Sequence, residues 1–486
     1  MADDEDDDRA ALTTGQMRTT ALIVATALFM QNLDGTIVAT ALPAMAESFH
    51  ADPVHMSLAL TSYLLSLAVF IPASGWFADY FGSRHVFRAA ILVFTIGSVL
   101  CGLSQSLGEL IAARILQGLG GAMMVPVGRL LLLKSVRRSD MVAATSWLSM
   151  PALLGPIIGP PVGGFIVTYM SWRWTFDINV PIGIIGIVAV SLFVRDVRDT
   201  EHAGRLDVVG LIWSGLAMAL LMAGIETIGR GIIPLRWSLA CFAAGAFSAF
   251  AYWRHANRHE HPILDLTLMK IATFANSTIA GSFFRVLAGA IPFLLPLMLQ
   301  LGFGESAAKS GAVTFAAGIG ALLMKPLAQP ILRRFGFRNA MVVLGLLSVA
   351  FTALCAAFTP GWSIVALDAV LLVGGVFRSL QFTALNTIAY ADVPRSRMSA
   401  ATSFYATFQQ ITLTLGISIA AGSLEFATAI SGHASPGIDD YAWSFILVSL
   451  IGLVSVPVCA RLRADAGEAV SGHHAEPIDA PVASRH

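Results

Sequence analysis

A series of long apolar segments runs through almost the whole chain and constrains its fold more than any other feature. Each segment is about 20 residues long, the length that a helix needs to cross roughly 30 Å of hydrocarbon. We predict fourteen of them, at residues 18–42, 57–78, 86–104, 109–132, 142–169, 175–194, 207–226, 236–254, 272–300, 307–331, 340–358, 363–390, 399–426 and 442–461. With 56% hydrophobic and 12% charged residues, the chain has more apolar surface than a globular domain can bury. The sequence therefore predicts an all-α polytopic membrane protein with fourteen transmembrane helices.

The loops between these segments differ in their content of Lys and Arg. With the N-terminus on the cytoplasmic side, the inner loops hold sixteen basic residues and the outer loops hold four. Basic residues concentrate in cytoplasmic loops, so we expect both termini in the cytoplasm. The acidic start of the chain, residues 1–17, has no basic region and is not typical of a cleavable signal peptide. The tail at 463–486 is rich in Ala, His, Pro and Ser, a composition typical of a disordered segment.

Two short motifs recur at one common spacing. The motif at 81–84 (FGSR) returns at 335–338 (FGFR), and the glycine pair at 120–121 returns at 374–375, both 254 residues later (335 − 81 and 374 − 120). The shared shift predicts a duplicated chain: a six-helix half at 18–194, a linker with two inserted helices at 195–270 and a second six-helix half at 271–462. Transporters built from such halves rock them around a cavity near the membrane midplane.

The fifth apolar segment contains a dense run of helix-breaking residues. They are Gly155, Pro156, Gly159, Pro160, Gly163 and Gly164. A membrane tolerates such residues because neighbouring helices satisfy the freed backbone groups, and glycines four residues apart let another helix approach closely. Two interpretations follow: an interface that moves during a functional cycle, or a tightly packed helix pair without a role in transport.

Asp34 and Arg114 are the charges that lie deepest in the first half. At 1.5 Å per residue, they lie roughly 14 Å and 9 Å inside the outer ends of their segments. An isolated charge at that depth is costly, so we expect the two side chains to face the cavity and each other, with Gln31 on the same helix face as Asp34. Asp34 is either a proton carrier whose protonation frees Arg114, or a residue that only orients Arg114 in a permanent structural pair.

The second half has its own deep charges, Arg285, Asp368 and Arg378. They either tie the ninth and twelfth segments together or line a substrate cavity. Further candidates for that cavity are Gln31, Asn32, Gln117, Phe284, Gln300, Phe377, Gln381 and Asn386. Apolar lining with a few polar groups suits amphipathic organic compounds. Three deep bases against two acids mildly favour neutral or anionic substrates.

Several motifs carry a family resemblance. Residues 75–84 (GWFADYFGSR) and 114–121 (RILQGLGG) resemble two signatures of the major facilitator superfamily, and the Gly/Pro run resembles that of its antiporters. Residues 33–43 (LDGTIVATALP) and 172–181 (WRWTFDINVP) look like the helix 1 and helix 6 signatures of its fourteen-helix drug:proton antiporters, the EmrB/QacA type. The resemblance covers residues 22–463. It departs from the family at Ala39, where an Asn is usual, and at Tyr80 and Ser83, where basic residues are usual.

The resemblance implies an inner gate at Gly75, Asp79, Gly82 and Arg84. We expect Gly75 and Gly82 to let the chain turn tightly, and Asp79 to pair with Arg84 or with a facing helix N-terminus as a latch between the halves. The alternative is an ordinary solvated loop whose basic residues follow the cytoplasmic bias.

The family implies a proton-coupled exporter of drugs or amphipathic small molecules in the bacterial cytoplasmic (inner) membrane. Its partners would be small molecules, protons and lipid, with no nucleic acid, and the proton gradient would replace any cofactor. The short outer loops do not indicate whether a periplasmic adaptor binds. The alternatives are a carrier for a dedicated metabolite, exporter or proton symporter, and a membrane enzyme or receptor. No HExxH, GxSxG or P-loop motif supports an enzyme, and the four cysteines, which occur singly, predict no metal site.

Overall fold

A computed structural model describes residues 14–134, 141–194, 206–227, 234–259, 262–394, 397–433 and 435–468, with the side chains of residues 14, 79, 133–134, 141–153 and 399 outside that description. These ranges contain helices and turns and no strand. The helices are α1 Thr14–Phe49, α2 Ser57–Phe70, α3 Ser74–Phe81, α4 Ser83–Leu103, α5 Leu107–Lys134, α6 Met141–Tyr169, α7 Trp174–Asp177, α8 Asn179–Phe193, α9 Val208–Thr227, α10 Leu235–Ala256, α11 Ala272–Leu297, α12 Ala307–Met324, α13 Ala328–Leu354, α14 Ile364–Ile388, α15 Met398–Ser431, α16 Ile438–Leu453 and α17 Ser455–Ala460.

Eleven helical stretches in the described ranges are long and apolar enough to cross a membrane. One of them, Ala307–Ala357, has 51 residues. A straight helix of that length would measure about 75 Å, more than twice the thickness of the hydrocarbon layer. Two predicted segments fall outside the eleven: α10, and the fifth segment, of which Leu154–Tyr169 counts as a shorter apolar helix.

Gly82 and Gly336 break the helices at equivalent points of the sequence repeat. Gly82 has φ 87° and ψ 130° between α3 and α4, and Gly336 has φ 70° and ψ 165° inside α13. A side chain at such positive φ would be strained, which accounts for glycine at both places. The two positions are 254 residues apart (336 − 82), so the repeat in the sequence is also a repeat of backbone conformation.

A second pair of glycines repeats a packing contact. A side-chain carbon on Gly121 would lie 3.2 Å from the hydroxyl oxygen of Tyr63, and one on Gly375 would lie 2.1 Å from the carbonyl oxygen of Ala317. Tyr63 and Ala317 are also 254 residues apart (317 − 63). Each half therefore has a glycine at the same position facing the equivalent helix, with side chains opposite Gly121 and backbone opposite Gly375.

The helices pack as two bundles and an accessory pair. We call α1–α8 the first bundle and α11–α17 the second bundle. The accessory pair, α9 and α10, packs chiefly on itself and also contacts α2 and α15. The main contacts between the bundles are α6 against α12 and α2 against α15.

The apolar core differs between the two ends of the molecule. We call the end where α1 begins and α17 finishes the terminal end, and the opposite one the distal end. At the distal end a single apolar cluster includes residues of both bundles, such as Leu42, Phe176, Leu295 and Phe445. At the terminal end the apolar residues divide into separate clusters, one of the first bundle and others of the second bundle and its linker. The bundles are thus packed together at the distal end and less so at the terminal end.

The first helix is longer than predicted, while the second apolar stretch, Ser57–Ala78, has its predicted bounds and contains a turn. Helix α1 continues through Pro43 to Phe49, because a proline inside a packed membrane bundle can be accommodated by its neighbours. The second predicted segment, 57–78, is interrupted by a 3₁₀ turn at Ile71–Ala73 that contains Pro72.

Candidate functional site

Asp34 and Arg114 form an ion pair in the interior of the first bundle. The Arg114 Nη1 atom lies 2.6 Å from Asp34 Oδ2, and both side chains are fully buried. Asp34 is on α1 and Arg114 is on α5, so the pair fixes these two helices to each other. A buried carboxylate and guanidinium at this distance compensate each other's charge in the interior of the bundle.

Two further side chains donate to the Asp34 carboxylate. Gln117 Nε2 lies 2.8 Å and Asn179 Nδ2 lies 2.9 Å from Asp34 Oδ1. Both amides also donate to Ser98 Oγ, at 2.7 Å and 3.2 Å. The carboxylate therefore accepts from three donors in all, and the network joins α1, α4, α5 and α8. Such donors stabilise the ionised form of a carboxylate.

Arg114 has contacts of its own around its guanidinium. Its Nε donates to the Ala59 carbonyl oxygen at 2.9 Å, and its Nη1 also donates to Gln117 Oε1 at 2.6 Å. The guanidinium carbon lies 4.2 Å from the centre of the Tyr63 ring and 5.7 Å from that of Phe176. The Nη2 atom and the Tyr63 hydroxyl are buried and have no hydrogen-bond partner among the described residues. The site thus retains unused polar groups beside its ion pair.

The sequence predicted Asp34, Arg114 and Gln117 as candidate residues of this site, but it did not predict Ser98, Asn179 or Tyr63. Asn179 stands in the helix 6 motif, and the other two are polar residues in apolar segments. That signal is weak alone, because Ser and Tyr are common in membrane helices. Gln31, expected near Asp34, is 7% exposed, and its buried Oε1 has no hydrogen-bond partner in the described part of the chain. Asn32 lies on the α6 side of α1, 2.9 Å from where a side-chain carbon on Gly155 would be.

Arg285 is the most completely buried cation among the described residues of the second bundle. It is fully buried, its Nη2 donates to Asn386 Oδ1 at 3.0 Å, and its guanidinium carbon lies 4.6 Å from the centre of the Tyr405 ring. Its Nε and Nη1 atoms are buried, and no described residue forms a hydrogen bond with them. Among the described residues, no carboxylate lies within salt-bridge distance of it.

Asn386 is the predicted candidate that contacts Arg285, whereas Asp368, Arg378 and Gln381 lie elsewhere in the second bundle. Asp368 lies near the start of α14, and its buried Oδ1 accepts no hydrogen bond from the described residues. Arg378 is ten residues further along the same helix, roughly 15 Å away, so the two charges do not pair. Gln381 is fully buried inside the second bundle, where its Nε2 lies 4.0 Å from Cys459 Sγ. Gln300, by contrast, forms a hydrogen bond between the bundles: its Nε2 donates to the Thr40 carbonyl oxygen at 3.1 Å.

One face of α6 packs on α1 within the first bundle. A side-chain carbon on Gly159 would lie 2.1 Å from Thr36 Oγ1, and one on Gly163 would lie 2.3 Å from Thr40 Oγ1. Gly155, Gly159 and Gly163 therefore form a stripe against α1. This stripe is a closely packed helix pair inside the first bundle, and its movement during a functional cycle stays a prediction.

The other face of α6 contacts the second bundle. A side-chain carbon on Gly164 would lie 2.3 Å from the carbonyl oxygen of Ala307, and one on Gly311 would lie 2.2 Å from the carbonyl oxygen of Pro160. Pro156 is exposed. The helix is thus held between α1 and α12, and the bundles touch backbone to backbone at Gly164 and Gly311.

The predicted inner gate agrees with the structure in one part only. Gly82 makes the expected turn, but Gly75 lies inside α3 without a positive φ, so the predicted turn at Gly75 is wrong. Arg84 donates through Nη2 to the Ser191 carbonyl oxygen on α8, which belongs to its own bundle. The side chain of Asp79 lies outside the described part of the chain, and its pairing stays a prediction.

Two acids near helix ends connect elements that the sequence left unconnected. His55 Nε2 lies 3.4 Å from Glu425 Oε1, which joins the first bundle to α15 at the distal end. Glu226 of α9 accepts a hydrogen bond from Ser418 of α15, which attaches the accessory pair to the second bundle. The distal face also has a groove of about 600 Å³ between the bundles, lined by residues that include Glu47, Thr168 and Glu305.

Two helical bundles of a duplicated chain, with a buried acid–base network inside the first, are typical of a secondary membrane transporter. The chain belongs to the Major Facilitator Superfamily, whose family description matches residues 24–416 and also 278–484. It is therefore a multi-pass membrane transporter of small molecules and not an enzyme. Transporters of this family typically have no cofactor.

Two similar proteins of known sequence come from bacteria. The chain is 38% identical over 446 residues to "Putative multidrug resistance protein MdtD" of Pectobacterium carotovorum subsp. carotovorum (strain PC1), covering 91% of this chain and 95% of that protein. The protein of the same name from Salmonella heidelberg (strain SL476) is 38% identical over 453 residues, with 91% and 94% covered. The resemblance to the EmrB/QacA type is thereby confirmed.

The similar solved structures share the fold at low sequence identity. The nucleoside transporter NupG superimposes with a TM-score of 0.62 at 13% identity, covering 92% of this chain and 98% of that one. The human organic anion transporter MFSD10 (TETRAN) gives 0.59 at 12% identity, covering 91% and 99%. At these identities the likeness concerns the fold alone.

Proposed function

We propose that the protein is a proton-coupled exporter of drugs or other amphipathic small molecules that works by alternating access. The observation that carries this proposal is the fully buried Asp34–Arg114 pair, with Arg114 Nη1 2.6 Å from Asp34 Oδ2. A carboxylate with one cation and two neutral donors is a group that can gain or lose a proton at the cost of rearranging its partners. The multidrug resistance name of the MdtD relatives supports export as the direction.

A continuous path of packed residues connects Asp34 to the interface between the bundles. On α1, Thr36 and Thr40 follow Asp34 and pack against Gly159 and Gly163 of α6. On its other face α6 contacts Ala307 and Gly311 of α12. Protonation of Asp34 would remove the charge that holds Arg114, so α1 could shift against α5 and move α6 against α12. These contacts support a coupling between the protonation of Asp34 and the interface of the two bundles, and mutation of the contacting residues tests that coupling.

The proposal includes the predicted topology of fourteen spans with both termini in the cytoplasm. The break at Gly336 supports two spans within Ala307–Ala357, and α6 and α10, with 29 and 22 residues, are long enough to be spans. The excess of basic residues in the loops at the terminal end supports its cytoplasmic location. The distal end then faces the outside of the bacterial inner membrane, and a core shared at that end corresponds to an inward-facing state.

Transport by purified protein in liposomes under an imposed pH gradient tests this function. Asp34→Asn keeps size and polarity but cannot titrate, so we expect it to lose gradient-driven transport and to retain substrate binding. Asp439→Asn, at an exposed acid of α16, is the matched control and should transport normally. Undiminished accumulation by Asp34→Asn would contradict the assignment, and Asp368 would be the next acid to test.

A second candidate function is the transport of a dedicated anionic metabolite, exported or taken up with protons. Arg285 favours it, because two of its buried nitrogen atoms have no hydrogen-bond partner among the described residues. An anionic group would compensate that charge. Transport assays with a panel of organic anions in the same liposomes distinguish the two functions. The dedicated carrier would be favoured if the parent transports one anion but not amphipathic cations, and if Arg285→Gln no longer transports that anion.

A further inference from the structure

We propose that Asp207, His255 and His259 form a binding site for a divalent transition-metal ion of the Zn²⁺ type. The three residues lie where α9 begins and α10 ends, at the terminal end of the accessory pair. Each offers one ligand atom, and these atoms lie within 4.8 Å of one another. Imidazole nitrogen and carboxylate oxygen are ligands that Zn²⁺ and its neighbours in the first transition row accept.

Asp207 is fixed in place before any ion binds. It directly precedes α9 and is 6% exposed. Its Oδ1 accepts from the Gly210 backbone N–H at 2.8 Å, and its Oδ2 accepts from the Ile263 N–H at 3.2 Å. A carboxylate oriented by backbone donors is the kind of outer support that metal ligands commonly have.

The two histidines are one helical turn apart. His259 N–H donates to the His255 carbonyl oxygen at 3.0 Å, so the turn continues beyond the end of α10. Their ring centres are 5.1 Å apart with an interplanar angle of 32°, and His255 Nε2 lies 2.7 Å from Asp207 Oδ1. Histidines four residues apart on one helix face are a recurrent zinc-binding arrangement.

The spacing of the ligand atoms fits a small ion. Two ligands about 2.1 Å from a tetrahedral ion lie roughly 3.4 Å apart. The observed distances, from 2.7 Å up to at most 4.8 Å, bracket that value. Three protein ligands leave a fourth position for water, so the ion would be exchangeable. His255 is partly exposed, at 20% of its side chain, which leaves a path for entry.

An ion here would join three separate segments of the chain. Asp207 accepts hydrogen bonds from Gly210 in α9 and from Ile263 in the segment that leads to α11. His255 lies in the last turn of α10, and His259 follows its end. Nearby, the Tyr252 hydroxyl donates to the Leu264 carbonyl oxygen at 2.7 Å and accepts from its N–H at 2.9 Å. The ion would therefore stiffen the connection between the accessory pair and the second bundle. Sequence reasoning missed it because Asp207 is 48 residues from His255.

The competing explanation is that His255 and Asp207 only form a hydrogen bond. His259→Gln separates the two, since it removes one ligand and leaves that bond intact. All samples should be the full-length chain in detergent, without a polyhistidine tag and with His473 and His474 changed to Ala, so that the tail cannot bind metal. The control variant is His433→Gln, at an exposed histidine that lies against Asp440, 2.9 Å away.

Titration with ZnCl₂ and elemental analysis give the stoichiometry and affinity. We expect one Zn²⁺ per chain, a rise in melting temperature with Zn²⁺, and a Co²⁺ form with the visible absorption of a tetrahedral site. His259→Gln and Asp207→Asn should weaken binding by at least about tenfold, while His433→Gln leaves it unchanged. Absence of binding by the parent chain, or equal binding by the parent and His259→Gln, would overturn the proposal.

Discussion

A side-chain carbon placed on Gly164 would lie 2.3 Å from the carbonyl oxygen of Ala307 on the opposite bundle. The reciprocal contact, from Gly311 to the carbonyl oxygen of Pro160, would be 2.2 Å. At the distal end the bundles therefore meet backbone to backbone at two points. Any larger residue there has to separate the bundles, because neither oxygen belongs to a flexible side chain.

The first prediction concerns these two glycines. Gly164→Ala or Gly311→Ala should disfavour the state in which the distal end is closed, by about 1–3 kcal/mol, the usual cost of overpacking. Spin labels placed at the distal ends of α6 and α12 should report longer distances in both variants than in the parent chain. The shift should also slow transport, because one half of the cycle is destabilised.

Gly186→Ala is the matched control for that experiment. Gly186 lies on α8, and a side-chain carbon there would be 3.7 Å from its nearest neighbour, Ile91, an ordinary contact. It should leave the distances between labels unchanged. Equal distances in Gly164→Ala, Gly311→Ala and the parent would show that the backbone contact does not limit closure.

The second prediction concerns the glycine stripe of α6, which packs against α1. Gly159→Ala should destabilise the first bundle, since its new carbon would lie 2.1 Å from Thr36 Oγ1. Removing that oxygen in the double variant Gly159→Ala/Thr36→Ala leaves Thr36 Cβ, at 3.0 Å, as the nearest atom. The double variant should therefore melt at a higher temperature than Gly159→Ala alone. If it melts at the same temperature or lower, the contact with Thr36 is not the cause.

The all-helical polytopic fold was predictable from the sequence, because long apolar segments report on the membrane and the 254-residue repeat reports on duplication. Gly82 and Gly336 show this: the repeat identified both, and both have positive φ. Gly75 shows the limit. Its place in the same motif suggested a turn, but local sequence does not determine whether a glycine bends a helix or lies within it.

The candidate site was predictable in part. Asp34 and Arg114 could be paired from depth alone, since two opposite charges at one level of a membrane rarely remain apart. Asn179 and Ser98 could not be added, because their contribution depends on how α4 and α8 rotate against α1. The orientation of Gln381 depends on helix rotation in the same way: its side chain contacts Cys459 within the second bundle. Helix rotation follows from packing of the whole bundle and is not encoded in one segment.

The third prediction is a pH dependence at a loop outside the membrane spans. Burial would raise the pKa of Asp265, but hydrogen bonds from Thr267 and Arg397 lower it below its ordinary value. Arg397 Nη2 lies 2.5 Å from Asp265 Oδ2. A depressed pKa adds stability above the unfolded pKa of about 3.9, and this is lost as pH falls through the folded pKa. Asp265→Asn should thus melt slightly below the parent at pH 7.

Melting curves of both proteins between pH 7 and about pH 3 check this prediction. The difference should shrink as the pH falls below about 4, because the parent then loses the charge that the variant lacks. Asp439→Asn serves as a control for a general effect of removing an acid. A difference that stays constant down to the lowest pH would mean that the ionised carboxylate of Asp265 does not stabilise the fold.

The last prediction concerns the ion pair of Asp34 and Arg114 as a structural unit. Arg114→Gln leaves a buried carboxylate without its cation, and breaking one side of a buried pair typically costs about 3–5 kcal/mol. The double variant Asp34→Asn/Arg114→Gln has no charge at the site, and its amides can still bond to Gln117, Ser98 and Asn179. It should therefore be more stable than Arg114→Gln alone and insert in larger amounts. Melting temperature in detergent and the yield of folded protein measure this, with Asp34→Asn completing the cycle. If the double variant is no more stable than Arg114→Gln, the orphaned carboxylate is not what destabilises the single variant, and Arg114 acts mainly through its contacts with Ala59 and Tyr63.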